Sequence, residues 1–107
     1  TDMIPAFKKL KINEIHLEHC SLHYTMLDIF KDWDFKGSLS AGVVDQRIDN
    51  TEDFDDVEKY TKPLLNYFKP EKILLTSECG FGHVPIEITR NKLKKLVDAA
   101  SILRKKY

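Results

Sequence analysis

The stretch Ser38-Leu-Ser-Ala-Gly-Val-Val44, closed by a charge at Asp45, decides the fold. It is short and apolar and ends abruptly in polar residues, so it reads as a buried strand. Upstream, Asn13 to His19 alternates, with Ile15 and Leu17 on one side and His16 and Glu18 on the other, which makes a strand with two different faces. Downstream, the run Lys72 to Thr76 after Pro70 reads as a third buried strand. Helical patterns separate the three, and strands separated by helices imply a parallel sheet with right-handed crossovers. Three parallel strands leave two open edges, whereas parallel sheets are normally covered on both faces and contain more strands. The chain therefore reads as a slice of a larger α/β sheet or barrel, one unit over residues 1–107.

The helical segments follow from apolar spacing. Met3, Ile4, Phe7 and Leu10 mark a short helix over residues 2–10, with Pro5 tolerated in the first turn. Leu22, Met26, Ile29, Phe30 and Trp33 mark a second amphipathic helix, which stops near Asp34 to Gly37. The acidic stretch Asp49 to Asp56 precedes Phe54, Val57, Leu64, Leu65 and Phe68, placing negative charge at a helix N-terminus with Thr51 as its cap, and Pro63 is expected to kink or divide that helix. A polar loop from Ser77 to Ile88 leads to a last helix capped by Thr89, with an apolar face of Leu93, Leu96, Val97, Ala100 and Leu103 and a basic end at Arg104, Lys105 and Lys106.

Composition narrows the function classes. The 107 residues carry 17 basic and 17 acidic side chains, which removes the general electrostatic case for nucleic acid or an anionic membrane surface. No apolar run approaches the ~18 residues of a membrane span and no signal peptide opens the chain, so a soluble, cytoplasmic protein is expected. Cys20 and Cys79 are too few for a disulfide scaffold and are read as thiols. The first residue is Thr1 and the opening segment already reads as helix, so the chain is expected to begin inside a larger gene product.

Chemistry-bearing residues gather after each strand: Glu18, His19 and Cys20 after the first, Asp45 and Arg47 after the second, Glu78 and Cys79 after the third. Ligands in α/β folds bind at the carboxyl ends of strands, although polar loops alone would produce some of this clustering. Cys79, between Glu78 and Gly80, is suited to be a soft zinc ligand; the competing reading is a small buried apolar residue. Glu18 would supply an oxygen to the same ion, and its competing reading is a salt bridge to a basic residue such as Arg47. His16, His19, Cys20, His23 and His83 lack the paired spacing of a zinc finger or ribbon, and His19 is expected to be a packed or surface histidine rather than a ligand. Gly80 and Gly82 do not form a phosphate-binding fingerprint.

The runs Glu14-Ile-His-Leu-Glu18, Ala41-Gly-Val-Val-Asp45, Pro70-Glu-Lys-Ile-Leu-Leu-Thr-Ser-Glu-Cys-Gly80 and Lys92-Leu-Lys-Lys-Leu-Val-Asp-Ala-Ala100 resemble, in order and spacing, the end of the C-terminal barrel of cobalamin-independent methionine synthase. The resemblance implies the last three strand–helix units of a (β/α)8 TIM barrel, incomplete in this chain. In that family zinc is held by a His, a Cys, a Glu and a second Cys, and it activates homocysteine for methyl transfer from a polyglutamylated methyltetrahydrofolate. By match Glu18 takes the Glu position and Cys79 that of the second Cys, while the His-x-Cys pair belongs to a preceding strand that this sequence lacks. Asp45 and Arg47 fall on the substrate side. Long family members carry a proton-donating histidine where this sequence has Arg47, so another methyl donor, such as a corrinoid protein, stands beside the folate. With two of the zinc ligands, the isolated chain is expected to bind zinc poorly and not to turn over.

Two other functions stand against this one. A related zinc-thiolate enzyme acting on coenzyme M would share the metal chemistry and differ in its partner. A non-catalytic α/β module would use its open sheet edges to self-associate or to dock on a complementing chain.

Overall fold

The computed structural model describes residues 3–22, 25–49 and 51–107. Helix α1 (Ile4–Phe7) is followed by strand β1 (Glu14–Glu18), a 3-10 segment (Thr25–Phe30), strand β2 (Ser38–Val44), helix α2 (Phe54–Thr61), 3-10 segments at Lys62–Asn66 and Pro70–Lys72, strand β3 (Ile73–Ser77) and helix α3 (Ile86–Lys106). The strands form one parallel sheet in the order β1-β2-β3, as the alternation of strands and helices requires. Among the described residues β1 and β3 each pair only with β2, so each has one open edge. No described helix is long and apolar enough to cross a membrane.

Central placement explains the composition of β2. Leu39, Ala41 and Val43 are fully buried and pack with Val57 of α2, Leu64, and Leu96, Ala99 and Leu103 of α3. The other face is more polar: register places His16, Ser40 and Leu74 in one row across the sheet and Glu18, Gly42 and Thr76 in the next. β3 is half-exposed rather than buried, because it is an edge strand; Leu74 is 45% exposed.

Several local expectations are corrected. The first helix is limited to Ile4–Phe7, and no residue in it is buried. The expected helix around Leu22–Trp33 is a 3-10 segment, whose three-residue repeat stacks Leu27 over Phe30; Phe30 then joins Trp33, Phe35 and Phe68 in an aromatic cluster. Asp53, not Thr51, caps α2: its carboxylate accepts from Asp56 N while the Asp56 side chain accepts from Asp53 N. Pro63 divides that helix as expected, since the chain passes into the 3-10 segment at Lys62.

Helix α3 starts at Ile86 with Pro85, not Thr89, as its N-cap: Pro85 O accepts from Thr89 N at 3.0 Å, so Thr89 already lies in the first turn. Its buried stripe is Lys92, Leu96, Ala99 and Leu103, while Leu93 and Val97 are 41% and 62% exposed. The helix is thus rotated from the purely apolar face, and a lysine takes the inward position at the rim where β2 ends.

Candidate active site

Because the strands are parallel and in register, their carboxyl ends deliver Glu18, Asp45 and the Glu78–Cys79 pair to the same rim. Glu18 and Cys79 come from the two outer strands, with β2 between them, a gap of two strand spacings or roughly 9.5 Å. Even so, the Cys79 thiol donates to Glu18 Oε1 at 3.3 Å. The contact forms because the segment after β3 folds across β2 at Gly42. A Cβ on Gly42 would meet Glu78 Cα at 2.7 Å and Cγ at 2.8 Å, so only glycine leaves room for the crossing. Glu78 N donates to Val44 O at 2.8 Å and anchors the far side of it.

Glu78 is itself a clamp. Its carboxylate accepts the Ser21 backbone N–H at 2.7 Å and lies 2.7 and 2.8 Å from the Ser21 hydroxyl, tying the loop after β1 to the loop after β3. Its carbonyl, in the peptide that leads into Cys79, accepts from His16 Nε2 at 2.9 Å; in the neutral ring Nδ1 then accepts from Ser40 Oγ at 3.2 Å. Burial, followed by the hydrogen bond and negative charge of Glu78, pushes the Cys20 thiol far above its ordinary range, so it stays protonated. The exposed Cys79 thiol is also raised, chiefly by its hydrogen bond to Glu18.

Asp45 and Arg47 form a second group. Arg47 Nε donates to Asp45 Oδ2 at 2.5 Å and Arg47 N to Oδ1 at 3.0 Å. From below, the fully buried Lys92 ammonium donates to Asp45 O at 3.1 Å, Asp45 Oδ1 at 3.2 Å and Glu52 Oε2 at 3.2 Å, while Glu52 Oε1 accepts from Asp45 N at 3.0 Å. Burial alone would raise the Asp45 pKa, but the backbone and side-chain hydrogen bonds from Arg47, with those from Lys92, outweigh it and hold the carboxyl below its usual range. Asp45, Arg47, Glu52, Tyr60, Glu78 and His83 line a cleft of about 610 Å³.

The structure brings Glu18 to Cys79 and Asp45 to Arg47; Cys79 is exposed rather than packed in the core, and Arg47 pairs with Asp45 rather than Glu18. Of the two expectations for His19, packed or surface, the structure shows the first: it is 1% exposed, its Nε2 donates to Tyr60 O at 2.7 Å, and burial lowers its pKa. His23 lies outside the described residues. The supporting residues Gly42, Glu52 and Lys92 were not read as part of a site. The signal for Lys92 was available, since it stands on the inward stripe of α3 with Leu96 and Leu103.

The Glu18–Cys79 pair fits a metal such as zinc in chemistry and span. A thiolate and a carboxylate are both zinc donors, and the sulfur–oxygen edge of a tetrahedral zinc site is about 3.5 Å at ordinary bond lengths. Among the described residues, no group of three or more His, Cys, Asp or Glu could hold a metal.

The family described as "Cobalamin-independent synthase, Catalytic domain" matches residues 1–102. The methionine synthases of Sulfolobus acidocaldarius and Sulfurisphaera tokodaii are each 33% identical over 100 residues, covering 94% of this chain and 29% of those proteins. That of Saccharolobus solfataricus is 29% identical, over 94% of this chain and 30% of its own length. This chain thus spans under a third of these relatives. Its fold matches a B12-independent methionine synthase from Shewanella sp. W3-18-1 with a TM-score of 0.79 at 24% identity, over 98% of this chain and 30% of that one. With nearly its whole length matched, the chain belongs to the cobalamin-independent methionine synthase family, within the catalytic domain.

Proposed function

We propose that this chain supplies the last three strand–helix units of a (β/α)8 barrel in a cytoplasmic, zinc-dependent methyltransferase that makes methionine from homocysteine. Glu18 and Cys79 are two of the zinc ligands, and Asp45 and Arg47 face the substrates, homocysteine and a methyl donor. The observation that carries this reading is the 3.3 Å approach of Cys79 Sγ to Glu18 Oε1 across an intervening strand. A zinc ion, when bound, supplies the Lewis acidity that keeps a substrate thiol deprotonated at neutral pH. The chain's own residues hold the ligands in place: His16 fixes the peptide before Cys79, and Glu78 locks the loop that follows Glu18. The open edges of β1 and β3 suit the rest of a barrel, supplied by further chain or by a complementing polypeptide.

The test supplies the missing part. The chain is mixed with the remaining segment of the Sulfolobus acidocaldarius methionine synthase, and zinc binding and methionine formation from homocysteine are measured. The mixture is expected to bind zinc tightly and to depend on both Glu18 and Cys79, while the chain alone binds weakly and is inactive. Tight stoichiometric zinc binding by the mixture that survives both Glu18→Gln and Cys79→Ser would overturn the ligand assignment.

A second reading, a non-catalytic module, is favoured by one observation: besides the open edges, α3 exposes Leu93, Val97 and Ile102. Light scattering that finds a stable metal-free dimer, together with no activity on complementation, would select it.

A further inference from the structure

The group built around Lys92 ends in a single exposed side chain. Lys92 has no solvent exposure, and the Asp45 and Glu52 side chains are 8% and 4% exposed, whereas Arg47 is 67% exposed. A buried ammonium spends all three donors on Asp45 and Glu52, in a helix stripe that is otherwise apolar, where leucine or methionine would pack without needing a partner. What those bonds accomplish is to fix Asp45. Its Oδ1 is held by Lys92, and its two oxygens then hold Arg47 through N and Nε.

The guanidinium is thereby attached along one side only. Its two terminal nitrogens make no hydrogen bond or ion pair with the described residues, and Arg47 is one of the residues that line the 610 Å³ cleft. A planar fork with fixed orientation and free outer N–H groups is the arrangement that binds a carboxylate in bidentate fashion.

We propose that Arg47 is a preset receptor for a carboxylate on a substrate of this site, and that Lys92 is a positioning residue that orients Arg47 through Asp45. The inference rests on the reading of the Asp45–Arg47 rim as the substrate side, and it adds the chemical class of the group bound there. The carboxylate belongs either to an α-amino acid or to an extended acidic tail on the other substrate.

The test uses the full chain, with glycine and glutarate as probes and the Arg47 Nε–H resonance as the readout. Wild type is expected to show an ordered, slowly exchanging Arg47 Nε–H that shifts on addition of at least one probe. Stronger binding of glycine assigns the amino acid, and stronger binding of glutarate assigns the tail. Titration calorimetry of the same probes is expected to show their binding lost in Arg47→Gln. Lys92→Met is expected to mobilise the Arg47 side chain and weaken probe binding on the order of tenfold, the scale of re-ordering one long side chain. Leu96→Ala, one turn along the same buried stripe, loses stability and leaves Arg47 ordered. If Lys92→Met does not fold, Lys92→Met combined with Glu52→Gln removes one charge of each sign and gives the same readout.

Neither probe reaching Arg47 in wild type overturns the receptor. Unchanged Arg47 order and affinity in the Lys92 variants overturns the positioning role. Failure of zinc binding and methyl transfer on complementation, with Lys92-dependent probe binding intact, would remove the methyltransferase reading and leave this inference standing.

Discussion

The two polar groups on the rim are built in opposite ways. The Lys92–Asp45–Glu52 group is closed: its charges are buried, balanced by Arg47 at its surface, and its bonds come from within the chain. The Glu18–Cys79 pair is open: both residues are exposed, and a lone thiol–carboxylate hydrogen bond joins them. The difference separates what the chain completes by itself from what it holds ready for others. A closed group contributes to folding, whereas an exposed pair joined by one hydrogen bond adds little to stability.

Substitutions test that contrast directly, and the largest effect is expected in the closed group. Lys92→Met leaves two buried carboxylates without their shared cation and should cost about 3–5 kcal/mol, measured by urea unfolding. A loss below ~1 kcal/mol would mean the group is not closed in the sense argued here. Gly42→Ala comes next. The added methyl meets Glu78 backbone and side chain below 3 Å, and about 1–3 kcal/mol should be lost as the crossing segment is displaced.

Acidification gives a smaller and graded effect. Burial lowers the His19 pKa, so below about pH 6.5 the unfolded chain takes up a proton that the folded chain refuses, and stability falls as pH drops. His19→Gln should flatten that slope between pH 7 and 5. Asp45 acts in a lower window: its depressed pKa contributes stability that is present above about pH 4 and lost as pH falls through the folded value. The smallest effect belongs to the open pair. Glu18→Gln and Cys79→Ser should each shift metal-free stability by less than ~0.5 kcal/mol, and a larger loss would make the pair structural.

How much of this was legible in the sequence follows from which interactions are local. The three strands and their parallel pairing were readable because apolar runs and their spacing are properties of adjacent residues. The 3-10 segment at Thr25–Phe30 was not, since an apolar set at three- and four-residue steps fits either helix type, and tertiary packing of the aromatic cluster decides between them. The rotation of α3 was missed for a related reason: Leu93 and Val97 look inward by composition, but Asp45 at the end of β2 and Glu52 in the loop before α2 draw Lys92 to that side. The Glu18–Cys79 pair was located through family resemblance together with strand ends. Gly42, which permits the contact, carried no sign of its role, because a glycine's function depends on what passes over it.

The pair also reports on assembly. Its two members come from the outer strands, and β2 must lie between them with Gly42 beneath the crossing segment, so no two-strand intermediate can form it. The Glu18–Cys79 contact therefore forms only once the third strand has docked, and a register slip of one residue in either outer strand would abolish it while leaving much of the secondary structure in place.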